Sequence, residues 1–191
     1  MSDTTNIRRA PVVLALAALC AGAPAALQAQ EPPHAAHHAQ VTPYGIPASI
    51  RAEHQEIHEA LEAATRAPGR VGAAARELAA VLHPHFQREE QIALPPLALL
   101  APLARGETSP AMRAVLPLTD SLRAELPRML REHEAIHTAT ARLGEVARAE
   151  GDSAVAQLAD KLALHAQEEE ELLYPAAVLV GDLVRARVPR D

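Results

Sequence analysis

The stretch LHAQEEEELLYP, Leu164–Pro175, sets a histidine and four consecutive acids between leucines. Most of such a run would face water. Read together with the residues before it, however, Val155, Leu158, Leu162, His165, Glu169 and Leu172 recur at alternating steps of three and four. That is the spacing of a buried helical stripe. An imidazole and a carboxylate therefore occupy positions where the helix should bury apolar side chains.

The same pattern recurs along the chain. HFQREEQIALP at His85–Pro95 matches HAQEEEELLYP at His165–Pro175, and EHQEIH at Glu53–His58 matches EHEAIH at Glu132–His137. The two halves are 79 to 80 residues apart, which makes them an internal repeat of one helix pair. The stripes agree. They read Ile50, His54, Ile57, Leu61, Ala64 in the first helix, Leu78, Leu82, His85, Glu89, Ile92 in the second, and Met129, His133, Ile136, Thr140, Leu143 in the third. Each helix aims a histidine inward, and two add a glutamate one turn later, on the same face.

Two buried carboxylates would cost a small domain several kcal/mol each unless compensated, an amount comparable to its whole stability. No Lys or Arg occupies these stripes. Protonating all four histidines would leave two cations in excess. A pair of metal cations balances the set and uses His54, His85, Glu89, His133, His165 and Glu169 as ligands. Iron, zinc and manganese all accept such imidazole and carboxylate donors. Four imidazoles, two bridging carboxylates and a bridging oxide or hydroxide leave about two octahedral positions open.

These residues resemble the hemerythrin-like, or HHE cation-binding, family. The resemblance covers His54 to about Pro175 and rests on the paired His-x-x-x-Glu-Glu…Pro stretches together with the two single-histidine helices. It implies a non-haem centre of two iron ions, oxo- or hydroxo-bridged, in an all-α, up-down four-helix bundle. His54, His85, His133 and His165 would be terminal ligands, and Glu89 and Glu169 would bridge. The implied role is binding a small diatomic ligand such as oxygen or nitric oxide, or sequestering iron, with peroxide chemistry possible at the same centre. Oxygen-carrying members place an Asp five residues after the last-helix His and use two histidines on the third helix. Here Glu169 follows His165 by four, Glu170 stands at the fifth place, and His137 could be the second histidine with His58 as its repeat counterpart. His58, His137, Glu90, Glu170 and Tyr174 are thus candidate additional ligands or outer partners of the site.

Two readings of other classes exist. HEAIH at His133–His137 fits a zinc-peptidase pattern with Glu134 as base, but its repeat partner reads HQEIH and no suitable third ligand follows in sequence. A purely structural metal bundle is the second.

The remaining features frame this core. The chain has 191 residues, 49% hydrophobic and 22% charged, with one Phe, two Tyr and no Trp. That predicts a helical domain with an aliphatic core. A formal charge of −6 argues against a nucleic-acid partner. Arg8 and Arg9 before the apolar run Pro11–Leu27 read as a signal peptide over residues 1–29, and so as export to a periplasm or the exterior. Cleavage there removes Cys20, whose alternative would be a lipoprotein anchor. It leaves no cysteine, a charge of about −7 and no transmembrane segment. Residues 30–48 read as a flexible lead-in whose His34, His37 and His38 could pick up metal weakly, residues 49–181 as the bundle, and 182–191 as a tail. Ser49 is the expected first N-cap. Pro84 should kink or break the second helix, and the third should begin near Pro127.

Overall fold

A computed structural model describes residues 44–189. The expected signal segment, Cys20 and His34, His37 and His38 lie outside the described residues. The described chain is all-helical. Its elements are α1 (Ala48–Thr65), α2 (Gly69–Ile92), the short α3 (Leu100–Ala104), α4 (Leu116–Glu150), α5 (Ser153–Glu168) and α6 (Tyr174–Arg187). Two 3-10 turns, Pro95–Leu99 and Pro110–Val115, flank α3, and a π-helical turn, Glu169–Leu173, joins α5 to α6. No described helix is long and apolar enough to cross a membrane.

Four long helices close into a bundle. α1 packs on α2 and α5, and α4 packs on the same two. Their apolar stripes meet in two clusters. Ile57, Leu61, Leu78, Leu82, Ile136, Leu143, Leu158 and Leu162 form one. Ile92, Leu94, Leu97, Leu122, Met129 and Ala177 form the other. α2 runs from the first cluster to the second, as do α5 and the π turn and Tyr174 that follow it, and α4 runs the opposite way, as does α1, whose Ile50 adjoins the second cluster. Consecutive long helices are therefore antiparallel. Each fully buried leucine contributes roughly 1.5–3 kcal/mol, so these clusters hold the bundle from both sides of the layer between them. That layer contains the stripe histidines and glutamates.

Local signals place the helix ends. Asp152 caps α5 by accepting a hydrogen bond from the Val155 amide at 3.1 Å. Gly151 closes α4 at φ 75°, a left-handed conformation that glycine adopts without penalty. Three expectations are corrected. α1 starts at Ala48 after Pro47, which precedes the first turn without a side-chain cap, so Ser49 is not its N-cap. Of the kink or break expected at Pro84, the break does not occur: α2 continues through it, because Leu82, His85 and Phe86 on either side are buried. α4 begins at Leu116, with Pro117 in its first turn, and carries Pro127 in its interior. Burial of Leu118, Leu122 and Met129 outweighs the local cost of that proline.

The fourth stripe departs from regular spacing in an informative way. Leu172, assigned inward by periodicity, is exposed, while Tyr174 is fully buried. The π turn accounts for this. The Tyr174 amide bonds to the Glu169 carbonyl, five residues back, so the turn carries one extra residue. The repeat has the same wide bond, from the Leu94 amide to the Glu89 carbonyl at 3.0 Å.

Candidate metal centre

His54, His85, Glu89, His133, His165 and Glu169 are all buried, none more than 3% exposed. Each lies between apolar turns, so apolar clusters flank the layer on both sides. Their ligating atoms converge in two groups, His85, Glu89, His133 and Glu169 on one side and His54, His165 and Glu169 on the other. Glu169 is common to both. Its Oε1 lies 3.0 Å from His165 Nε2 and 3.4 Å from His54 Nε2, and its Oε2 lies 3.5 Å from His133 Nε2. Glu89 Oε1 stands 3.3 Å from His85 Nε2.

The polar atoms of this layer are not satisfied by one another. His54 Nε2, His165 Nε2, Glu89 Oε2 and Glu169 Oε1 are buried without a hydrogen bond. Nε2 of His85 and His133 face each other at 2.7 Å, where one must surrender its lone pair to a proton. Buried polar groups are otherwise almost always paired. Inward-pointing lone pairs on imidazole and carboxylate, with their partners missing, fit a hard or borderline cation.

The electrostatics point the same way. Burial and the neighbouring Glu169 charge push the Glu89 carboxyl up to about 7. Burial also opposes ionisation of Glu169, but the approach of His165 and His54 to its Oε1 outweighs it and holds that carboxyl well below the usual range. Burial disfavours the charged form of His85, yet its hydrogen bond to Glu89 and that residue's charge, aided by Glu132, raise it to about 9. His165 is raised, against burial, by Glu169. His133 is lowered by burial and by the adjacent His85.

Tyr174 joins the first group. Its hydroxyl donates to Glu89 Oε1 and lies 3.0 Å from His133 Nε2 and 3.3 Å from His85 Nε2. Burial and then the Glu89 charge push its ionisation upward, so it remains a phenol. Phe86 covers the second group, stacked on His54 with ring centroids 4.3 Å apart.

The other candidates fall outside this layer. His58 is exposed and stacks on His83 at 4.7 Å. His83 is partly buried and lines a surface pocket of about 540 Å³ together with His54, His58, Phe86 and Glu90. His137 is 41% exposed and its Nε2 lies 3.4 Å from Glu170. Glu90 and Glu170 face Nδ1 of His54 and His133, on the outer side of the rings. Two further carboxylates, Glu53 and Glu132, face the outer nitrogens of His165 and His85. Sequence periodicity missed them because each stands one residue before a stripe histidine, off the stripe itself.

The peptidase reading does not match this geometry. Glu170 does come near both His133 and His137, contrary to the expectation of no third ligand. Glu134, however, is exposed, and His133 Nε2 is turned into the interior.

The description hemerythrin HHE cation binding domain matches residues 46–177. The chain belongs to the hemerythrin HHE cation-binding family. No curated protein and no solved structure matched the chain. The family is one of cation-binding domains, and the converging His and Glu groups could hold a metal ion.

Proposed function

We propose that this protein is an exported, di-iron hemerythrin-like protein that holds a small diatomic ligand, oxygen or nitric oxide, or sequesters iron. His54, His85, His133 and His165 are its terminal ligands, and Glu89 and Glu169 its carboxylate bridges. The observation that carries the two-ion reading is Glu169, which turns Oε1 to the His54 and His165 pair and Oε2 to His133. Iron in such a donor set supplies Lewis-acidic, redox-active positions for a diatomic ligand. The protein's own part is to hold the imidazoles with Nε2 inward, to keep both carboxylates out of water, and to donate a hydrogen bond from Tyr174 to Glu89. Export rests on Arg8, Arg9 and the apolar run Pro11–Leu27.

The test is optical. Iron-loaded protein is recorded under nitrogen, oxygen and nitric oxide. A spectrum that changes with the gas and returns on its removal supports ligand holding. Tight loading of two irons with no gas response assigns the protein to iron sequestration. Failure to bind iron contradicts the reading.

A further inference from the structure

Each of the four interior histidines turns its outer nitrogen, Nδ1, toward a carboxylate on a neighbouring helix. Glu53 of α1 faces His165 of α5, and Glu170, which follows α5, faces His133 of α4. Glu132 of α4 faces His85 of α2, and Glu90 of α2 faces His54 of α1. The relay passes once around the bundle and closes. Its members are the Glu before each single-helix His and the second Glu of each Glu-Glu pair. A carboxylate on the outer nitrogen of an imidazole fixes its orientation, keeps the proton on Nδ1 and makes Nε2 a stronger donor to a metal.

The ring is uneven. His133 Nδ1 lies 2.7 Å from Glu170 and His85 Nδ1 lies 3.0 Å from Glu132. The repeat-related contacts are longer, 3.6 Å from His54 to Glu90 and 3.7 Å from His165 to Glu53. Those lengths exceed a hydrogen bond, and His54 Nδ1 is buried without a partner. The cause lies in what holds each carboxylate. Arg128 Nε donates to Glu132 at 2.7 Å, and His137 approaches Glu170 at 3.4 Å. The repeat counterpart of Arg128 is Ser49, which carries no charge. The counterpart of His137 is His58, which stacks on His83 instead. Among the described residues neither Glu53 nor Glu90 has a second polar partner. The inner faces diverge as well. Tyr174 stands beside His85 and His133 where the repeat has Leu94, and Phe86 lies against His54 where the repeat has Ala166. The His54 side also lines the surface pocket.

We infer that the two cation positions are unequal by construction. Glu132 and Glu170 are positioning residues that make the His85 and His133 side the tight position. The His54 and His165 side, with slack outer carboxylates and a pocket beside it, is the weaker, exchangeable position for a divalent cation. This rests on the two-ion reading above.

Anaerobic titration of the metal-free full chain with Fe(II), in competition with a chelator, tests it. Two ions should bind in two separated steps. Glu132→Ala and Glu170→Ala should each weaken the tighter step by about 10–100-fold and bring the steps together. Glu53→Ala and Glu90→Ala should leave that step in place. The Glu→Gln forms serve where truncation disturbs the fold, and should show the same order with smaller effects. Nitrogen-15 spectra of the metal-free wild type should place a proton on Nδ1 of both His85 and His133, in addition to the one between their Nε2 atoms, with the Nδ1 occupancy lowered in the Glu132 and Glu170 variants. Two equal steps in the wild type, or equal weakening by all four variants, would overturn the inference while leaving the two-ion centre standing. A single bound ion would overturn the two-ion reading itself.

Discussion

The Tyr174 hydroxyl donates to Glu89 Oε1 from the far side of the bundle, 85 residues along the chain. The bond exists because the π turn at Glu169–Leu173 adds a residue and swings position 174 into the stripe. With a regular α turn, Leu172 or Leu173 would fill that place and Glu89 would lose its donor. Buried donors and acceptors left unpaired cost about 1–3 kcal/mol. Tyr174→Phe should therefore destabilise the metal-free protein by about that amount in urea denaturation, with the helical content unchanged. An unaltered midpoint would show that this hydroxyl does not support Glu89.

Glu89 is a carboxylate whose burial opposes folding in the absence of metal. Burial and the Glu169 charge outweigh the help from His85 and Tyr174 and raise the Glu89 carboxyl to about 7, so a neutral isostere removes a net cost on the order of 1–4 kcal/mol once the pH exceeds that value. Glu89→Gln should raise the stability of the metal-free protein at pH 8 on that scale and, in the same protein, diminish the stabilisation that added iron confers. Measuring both melting temperatures on one preparation checks the opposed signs. A variant that is less stable without metal contradicts the assignment.

The metal-free protein should lose stability as the pH rises from 6 to 9. His85 in the folded chain is held at about 9, above its ordinary 6.5, by Glu89 and Glu132 acting against burial. Its contribution is thus complete below 6.5 and disappears as the pH rises through 9. Glu89, raised to about 7 by burial and Glu169, adds a loss between its ordinary 4.5 and 7. Glu169 is depressed, so its contribution is lost only in strong acid. Metal binding has the opposite slope, because protonated imidazole and carboxylic acid do not ligate. Melting curves with chelator should fall by roughly a few degrees over this range, while the increment from iron should grow. A metal-free melting temperature that climbs with pH would refute this.

The docking of α6 on α4 rests on a close approach. A Cβ at Gly181 would lie 2.3 Å from Thr119 Oγ1 and 2.7 Å from Thr119 Cβ. Gly181→Ala should cost about 1–3 kcal/mol, the usual penalty for overpacking, read from thermal melts. Helix propensity alone would predict a gain from the same change, so the sign decides between the two effects.

Much of this was legible in the sequence because stripe spacing and burial express the same geometry. His54, His85, Glu89, His133, His165 and Glu169 were found as polar residues in apolar stripes, and all six are buried. What escaped was set by tertiary contacts. Pro84 read as a kink or break and Pro127 as a helix start, yet apolar burial on both sides carries unbroken helices through them. The inward turn of Tyr174 depends on a wide turn that regular periodicity does not include. Glu53 and Glu132 act across helix boundaries and therefore leave no spacing signal within their own helices.

The central claim is that paired cations neutralise the acids of the interior layer. Its most direct test is metal content against thermal stability in one sample, loaded with iron and then stripped with chelator. Two irons per chain, and a melting temperature that drops by many degrees when they are removed, are the predicted result. A protein that takes up no metal, or one whose unfolding transition is indifferent to its removal, would contradict the account.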